Sequence, residues 1–111
     1  MNELARMHCS PVAANTPRLT ESEINKLKTR LPGWETYKKG GEPHLEKTFK
    51  FKDFNQALAF TNRVAELANE EDHHPAILTE WGKVTITWWT HRIRGLHMND
   101  FIMAAKTEQL L

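Results

Sequence analysis

From Thr20 onward apolar residues return at helical intervals, at Ile24, Leu27 and Leu31. Thr20 and Glu23 have capping-box spacing, so a helix is predicted to start at Thr20, and Pro32-Gly33 stops it. The period then falls to two. Trp34 to Lys38 is a short strand candidate, Gly40-Gly41 a turn, and His44 to Phe51 the hairpin partner. Leu45, Lys47, Phe49 and Phe51 share one face of that strand, while Glu46, Thr48, Lys50 and Lys52 share the other. A sheet covered on one side follows. Asp53, with Gln56 three residues later, caps a long helix carrying two apolar stripes. One stripe is Phe54, Leu58, Thr61, Ala65 and Ala68; the other is Ala57, Phe60, Val64 and Leu67. The helix is either deeply buried, or one stripe meets a second subunit. Asn69 to Asp72 ends it and Pro75 bars its resumption. Ala76 to Trp81 and Lys83 to Trp89 form a second hairpin about Gly82, with Val84, Ile86 and Trp88 facing one way and Thr85, Thr87 and Trp89 the other. A last helix begins near Asn99 or Asp100, its inner stripe being Met98, Ile102 and Ala105.

The order α-β-β-α-β-β-α predicts an α+β fold, a four-stranded antiparallel sheet with helices packed on one face. Residues 19–111 form that one domain. Residues 1–18, interrupted by Pro11 and Pro17, read as a flexible tail that is mobile or lies loosely on the surface.

Composition narrows the function. With 111 residues there is room for one domain, and Lys+Arg 15 against Asp+Glu 14 argues against an electrostatic grip on nucleic acid or an anionic membrane. No apolar run approaches the roughly 20 residues of a membrane span. The single cysteine, Cys9, excludes an internal disulfide and reads as incidental, and a reduced, cytoplasmic protein is the simplest expectation.

Six histidines in so short a chain are unusual. His73 and His74 follow the long helix and three acidic residues; His91 ends the last strand. A hairpin centred on Gly82 sets 73 opposite 91, since each lies nine residues away. Imidazoles titrate near pH 6.5 and can serve as acid and base at cellular pH. An active site, histidines that merely stabilise a helix end, and a 2-His-1-carboxylate metal site with Asp72 or Asp100 all fit this spacing. The metal reading is the weakest, because adjacent histidines rarely turn both rings to one ion. His8, His44 and His97 have no evident partners and are expected to face solvent. Trp34 and Trp88 read as core, whereas Trp81 and Trp89 could border a flat heteroaromatic ligand.

The stretch EDHHPAILTEWGKVTITWWTHRIRGLHMNDFIMAA, Glu71 to Ala105, resembles the pterin-4a-carbinolamine dehydratases. The resemblance rests on His73-His74-Pro75, Trp81 with its following turn and strand, Thr90-His91, Gly95-Leu96 and Asp100; the lead-in FKDFNQALAFTNRVAELA is similar too. LTEWGKVTITWWTH looks like the bacterial branch that accompanies phenylalanine hydroxylase. The resemblance implies a hydro-lyase converting 4a-hydroxytetrahydropterin to quinonoid dihydropterin with no metal or organic cofactor, the pterin being the substrate. It implies His73 and His91 as acid and base about the C4a hydroxyl, with His74 orienting the pterin and assisting. Asp72, Pro75, Trp81, Thr90, Arg92 and Asp100 are then the substrate-site residues, although Asp100 is equally placed to cap the last helix. Many members carry a glutamate where this chain has Asn69, so no catalytic carboxylate is assigned. The family also implies dimers or tetramers, and animal members that serve as dimerisation cofactors of a homeodomain transcription factor make an interaction or regulatory module the alternative.

Overall fold

A computed structural model of the chain describes residues 3–111. Three α-helices and four strands alternate as anticipated: α1 Glu21–Lys28, β1 Glu35–Lys39, β2 Glu42–Lys50, α2 Phe54–Glu71, β3 Ala76–Glu80, β4 Lys83–Trp88 and α3 Met98–Glu108. The sheet is antiparallel throughout, in the order β1-β2-β4-β3. At its first hairpin Gly40 and Gly41 both have positive φ, 59° and 80°, as a two-residue loop between Lys39 and Glu42 requires. Thr20 caps α1 with a complete capping box, and Asp53 caps α2 by accepting from the Gln56 amide at 2.9 Å.

The alternation in β2 and β4 sends Leu45, Phe49, Val84, Ile86 and Trp88 to the helix-covered face, where all are buried. They meet Phe60 and Val64 of α2, Phe101 and Met103 of α3, and Trp34, whose ring lies edge-on to Phe49 at 5.9 Å. Each such side chain, fully buried, contributes roughly 1.5–3 kcal/mol. Lys47 shares that face yet keeps its charge paired, reaching Glu108 beside the Trp34 indole N–H. On α2 the buried stripe is Ala57, Phe60, Val64 and Ala68, while Phe54 and Leu58 remain exposed.

Residues 3–10 do not lie loosely. Glu3–Arg6 form a 3₁₀ turn that buries Leu4 and Ala5 in the core beside α3. Two apolar residues ahead of a proline-broken stretch carry no period, so their burial was invisible to pattern reading. No helix among the described residues is long and apolar enough to cross a membrane.

Candidate active site

Three features bring chemistry to the end of the sheet where β3 begins and β4 finishes. Helix α2 closes on Asp72, which takes a left-handed conformation (φ 51°) and turns the chain sharply into His73-His74-Pro75. Strand β4 runs out through Trp89 and Thr90 into a short 3₁₀ turn, His91–Ile93. Helix α3 opens nearby with His97 as its N-cap, Asn99 donating to His97 Nδ1, and Asp100 completing a capping box.

Asp100 ties these segments together. It is fully buried, and its Oδ1 accepts from His73 Nε2 at 2.7 Å. Its Oδ2 accepts from the Thr90 hydroxyl at 2.8 Å and from the His97 amide at 2.9 Å. A buried carboxylate with three donors is satisfied as an anion, and it fixes the His73 tautomer with the proton on Nε2. The His73 ring stacks on Trp88, nearly parallel at 5.8 Å, and its side chain is 12% exposed.

The other two histidines are held in the same manner from different elements. His74 Nε2 donates to the Asn69 side-chain oxygen at 3.0 Å. His91 Nδ1 donates to Glu42 Oε1, on β2, at 3.2 Å. Each of the three imidazoles therefore has one nitrogen anchored by an oxygen acceptor, and none of the opposite nitrogens has a protein hydrogen-bond partner among the described residues. Rings held at one nitrogen and open at the other are suited to proton transfer with a bound molecule.

Register departs from the expectation by one residue. The second hairpin turns on both Trp81 and Gly82, pairing Glu80 with Lys83. Continued past Ala76, that register sets 73 against 90, not 91. His73 and Thr90 accordingly share Asp100, while His91 is carried to the helix-free face, where it lines a groove of about 470 Å³ with Trp89 and His44. Its side chain is 79% exposed, and no hydrogen bond among the described residues joins it to His73 or His74.

The remaining expected residues divide. Thr90 is buried, with its hydroxyl committed to Asp100, and Asp100 itself can reach a ligand only through His73 or Thr90. Asp72 is exposed and Pro75 half-buried, both at the site. Arg92 points into a separate cleft with Arg18 and Arg94. Trp81, 69% exposed, sits at the far tip of the β3–β4 hairpin. Five strand steps put it roughly 16 Å from the histidine end, so this chain does not bring it to the site.

Two histidines expected to face solvent do not. His44 is buried between the rings of Tyr37 at 5.4 Å and Trp89 at 4.4 Å, its Nδ1 donating to the Glu42 carbonyl at 2.7 Å. His97 is the half-buried N-cap just described. His8 stays exposed but donates to Glu71 at 2.8 Å. Glu42 was the site residue that pattern reading missed; only the pairing of β1, β2 and β4 reveals that the first turn reaches the second hairpin's end. Among the described residues no three His, Cys, Asp or Glu side chains are grouped closely enough to hold a metal ion, so the 2-His-1-carboxylate grouping is not assembled.

A family model for pterin 4 alpha carbinolamine dehydratase matches residues 17–110. The chain belongs to this family. Its fold is shared with a crystallised transcriptional coactivator/pterin dehydratase from Brucella melitensis, 37% identical, with a TM-score of 0.76 over 85% of this chain and 98% of that one. A pterin dehydratase-like protein described as a RuBisCO assembly factor in the alpha-carboxysome is 28% identical, with a TM-score of 0.60 over 70% of this chain and 88% of that one. Asn69, the position at which the resemblance implies a glutamate in many members, anchors His74 through its side-chain oxygen.

Proposed function

We propose that the chain dehydrates 4a-hydroxytetrahydropterin to quinonoid dihydropterin. The observation that carries this reading is the set of three imidazoles, each anchored at one nitrogen by Asp100, Asn69 or Glu42 and open at the other. The reaction removes the N5 proton, expels the C4a hydroxyl and closes the N5–C4a double bond, so one base and one acid suffice. His73 is the base. Its Nδ1 lone pair takes the N5 proton, and the buried Asp100 carboxylate stabilises the imidazolium that results. His91, largely exposed and held at Nδ1 by Glu42, acts as the imidazolium and donates from Nε2 to the departing hydroxyl, which leaves as water; His73 then releases the N5 proton to solvent and His91 takes one up. His74 orients the ring, with Thr90 and Pro75 shaping the site around it. Neither a metal nor an organic cofactor has a step in this scheme; the pterin is substrate. A pterin-dependent aromatic amino-acid hydroxylase is the reaction that would supply it.

A second reading, an interaction module, is favoured by the exposed apolar residues Phe54, Leu58, Leu78 and Trp81, and by the coactivator and assembly-factor names of similar proteins. A pure interaction module has no physical need for three anchored imidazoles. Dehydration by the purified chain, compared with His73→Ala and His91→Ala, separates the two.

A further inference from the structure

Residues 3–10 precede the segment matched by the family model, yet they are fastened to both helix ends that frame the histidines. Leu4 and Ala5 are anchored in the core, and Lys106 of α3 donates to the Ala5 carbonyl at 3.0 Å. From that anchor the strand of chain passes the end of α2, where the Glu71 carboxylate accepts from the Cys9 amide at 2.9 Å and from His8 Nδ1 at 2.8 Å. It next meets the start of α3. There the Asn99 side chain, 2% exposed, accepts from the Ser10 amide at 2.9 Å and donates to the Ser10 carbonyl at 2.8 Å.

Glu71 stands two residues before His73, and Asn99 one residue before Asp100. Helix α2 packs on β3 and β4, whereas α3 packs most extensively on the 3₁₀ turn of Glu3–Arg6 and less on β4. The His73–Asp100 bond thus crosses between two elements whose ends are bridged a second time, in parallel, by this strap. Burial pushes the Glu71 carboxyl up, but the Cys9 amide, His8 and Lys106 outweigh it and hold the group below its ordinary range, in keeping with a closed latch.

We propose that Glu71 and Asn99 are positioning residues that act through the strap to fix the spacing of the α2 and α3 ends and so hold His73 on Asp100. The proposal rests on the reading of His73 as the proton-transfer group, and it explains why a segment outside the family's matched region is so firmly tied down. It predicts that cutting the latches impairs the orientation of His73 while substrate binding is retained.

The test uses the full chain carrying Glu71→Ala and Asn99→Ala together, which opens both latches and leaves the Leu4 anchor in place. Measurements are made at a temperature where circular dichroism shows the variant folded. The first readout needs no substrate: solvent exchange of the His73 Nε2 proton, followed by NMR in ¹⁵N-labelled protein, should accelerate by about tenfold or more, as expected for local opening. The second is steady-state dehydration, where kcat should fall by about 10- to 100-fold with KM changed by no more than about twofold. Glu71→Gln, which keeps an oxygen for the Cys9 amide, should retain near-wild-type kcat. A double variant with lowered thermal stability but unchanged proton exchange and kcat would make the latches merely structural and overturn the proposal. If it does not fold, Cys9→Pro, which removes one latch donor and alters neither helix, carries the same expectations and the same refutation. Accelerated exchange supports positioning whatever the reaction proves to be; unchanged exchange overturns it even in an active enzyme.

Discussion

Replacing Asp100 with asparagine should disable proton transfer at His73 without dismantling the fold. The carboxylate accepts three hydrogen bonds, two of them at Oδ2, where the His97 amide cannot reverse its role. The asparagine oxygen must therefore stay at that position, which turns the new NH₂ group toward His73. Two donors cannot face each other, so the imidazole moves its proton to Nδ1 and presents N–H where it had offered a lone pair. Loss of one positioned acid or base costs about 10²–10⁴-fold, and the lower end applies because the uncatalysed elimination is already easy. Losing a charge-assisted bond to a buried group should also cost about 2 kcal/mol, a fall of about 8 °C in Tm for a domain of this size. Far-UV circular dichroism against temperature reads the second effect, and initial rates at a temperature where it shows the variant folded read the first. Wild-type kcat in a folded Asp100→Asn protein would refute the tautomer argument, as would a loss of rate that merely tracks unfolding.

The exposed stripe of α2 suggests self-association: glutamate at Leu58 and Ala65 should leave a folded monomer, whereas glutamate at Phe60 and Val64, both buried, should unfold the chain. Sedimentation with circular dichroism distinguishes these outcomes, and a wild-type monomer at micromolar concentration would refute the assembly. Burial, with Glu71 and Asp100 adding to it, pushes the Cys9 thiol up to about 12. Alkylation by iodoacetamide at pH 8 should then be at least about 100-fold slower than for a free cysteine, a consequence of the small thiolate fraction. The Glu71 carboxyl is held below its ordinary range, so the stability it lends is present above the unfolded value, about 4.3, and is lost as pH falls through its folded value. Amide exchange at Cys9 should rise in that acid range before global unfolding, and protection that persists until the whole chain unfolds would count against the latch.

Local chemistry made much of the fold legible. Thr20 with Glu23 and Asp53 with Gln56 announce the starts of α1 and α2, and the alternation through Leu45 to Phe49 and Val84 to Trp88 identifies the buried face. Which α2 stripe turns inward could not be read, because both are apolar and only the sheet beneath decides. His97 as N-cap was hidden because histidine is not among the preferred capping residues. The histidine cluster was visible as a pattern, but its wiring was not. A one-residue shift in the second turn sets His73 against Thr90 and leaves His91 on the other face from it, and His91's partner Glu42 lies 49 positions away in the chain. Strap contacts such as Cys9 with Glu71, 62 residues apart, depend on the folded arrangement alone.

The most direct measurement generates the 4a-carbinolamine in situ and follows the decay of its absorbance by stopped flow, with and without the purified chain. The wild-type protein should accelerate decay in proportion to its concentration, and His73→Ala and His91→Ala, each folded, should lose most of that acceleration. Decay at the buffer rate with wild-type protein, or undiminished acceleration by both single variants, would contradict the assignment of these imidazoles as the acid and base of a pterin dehydratase.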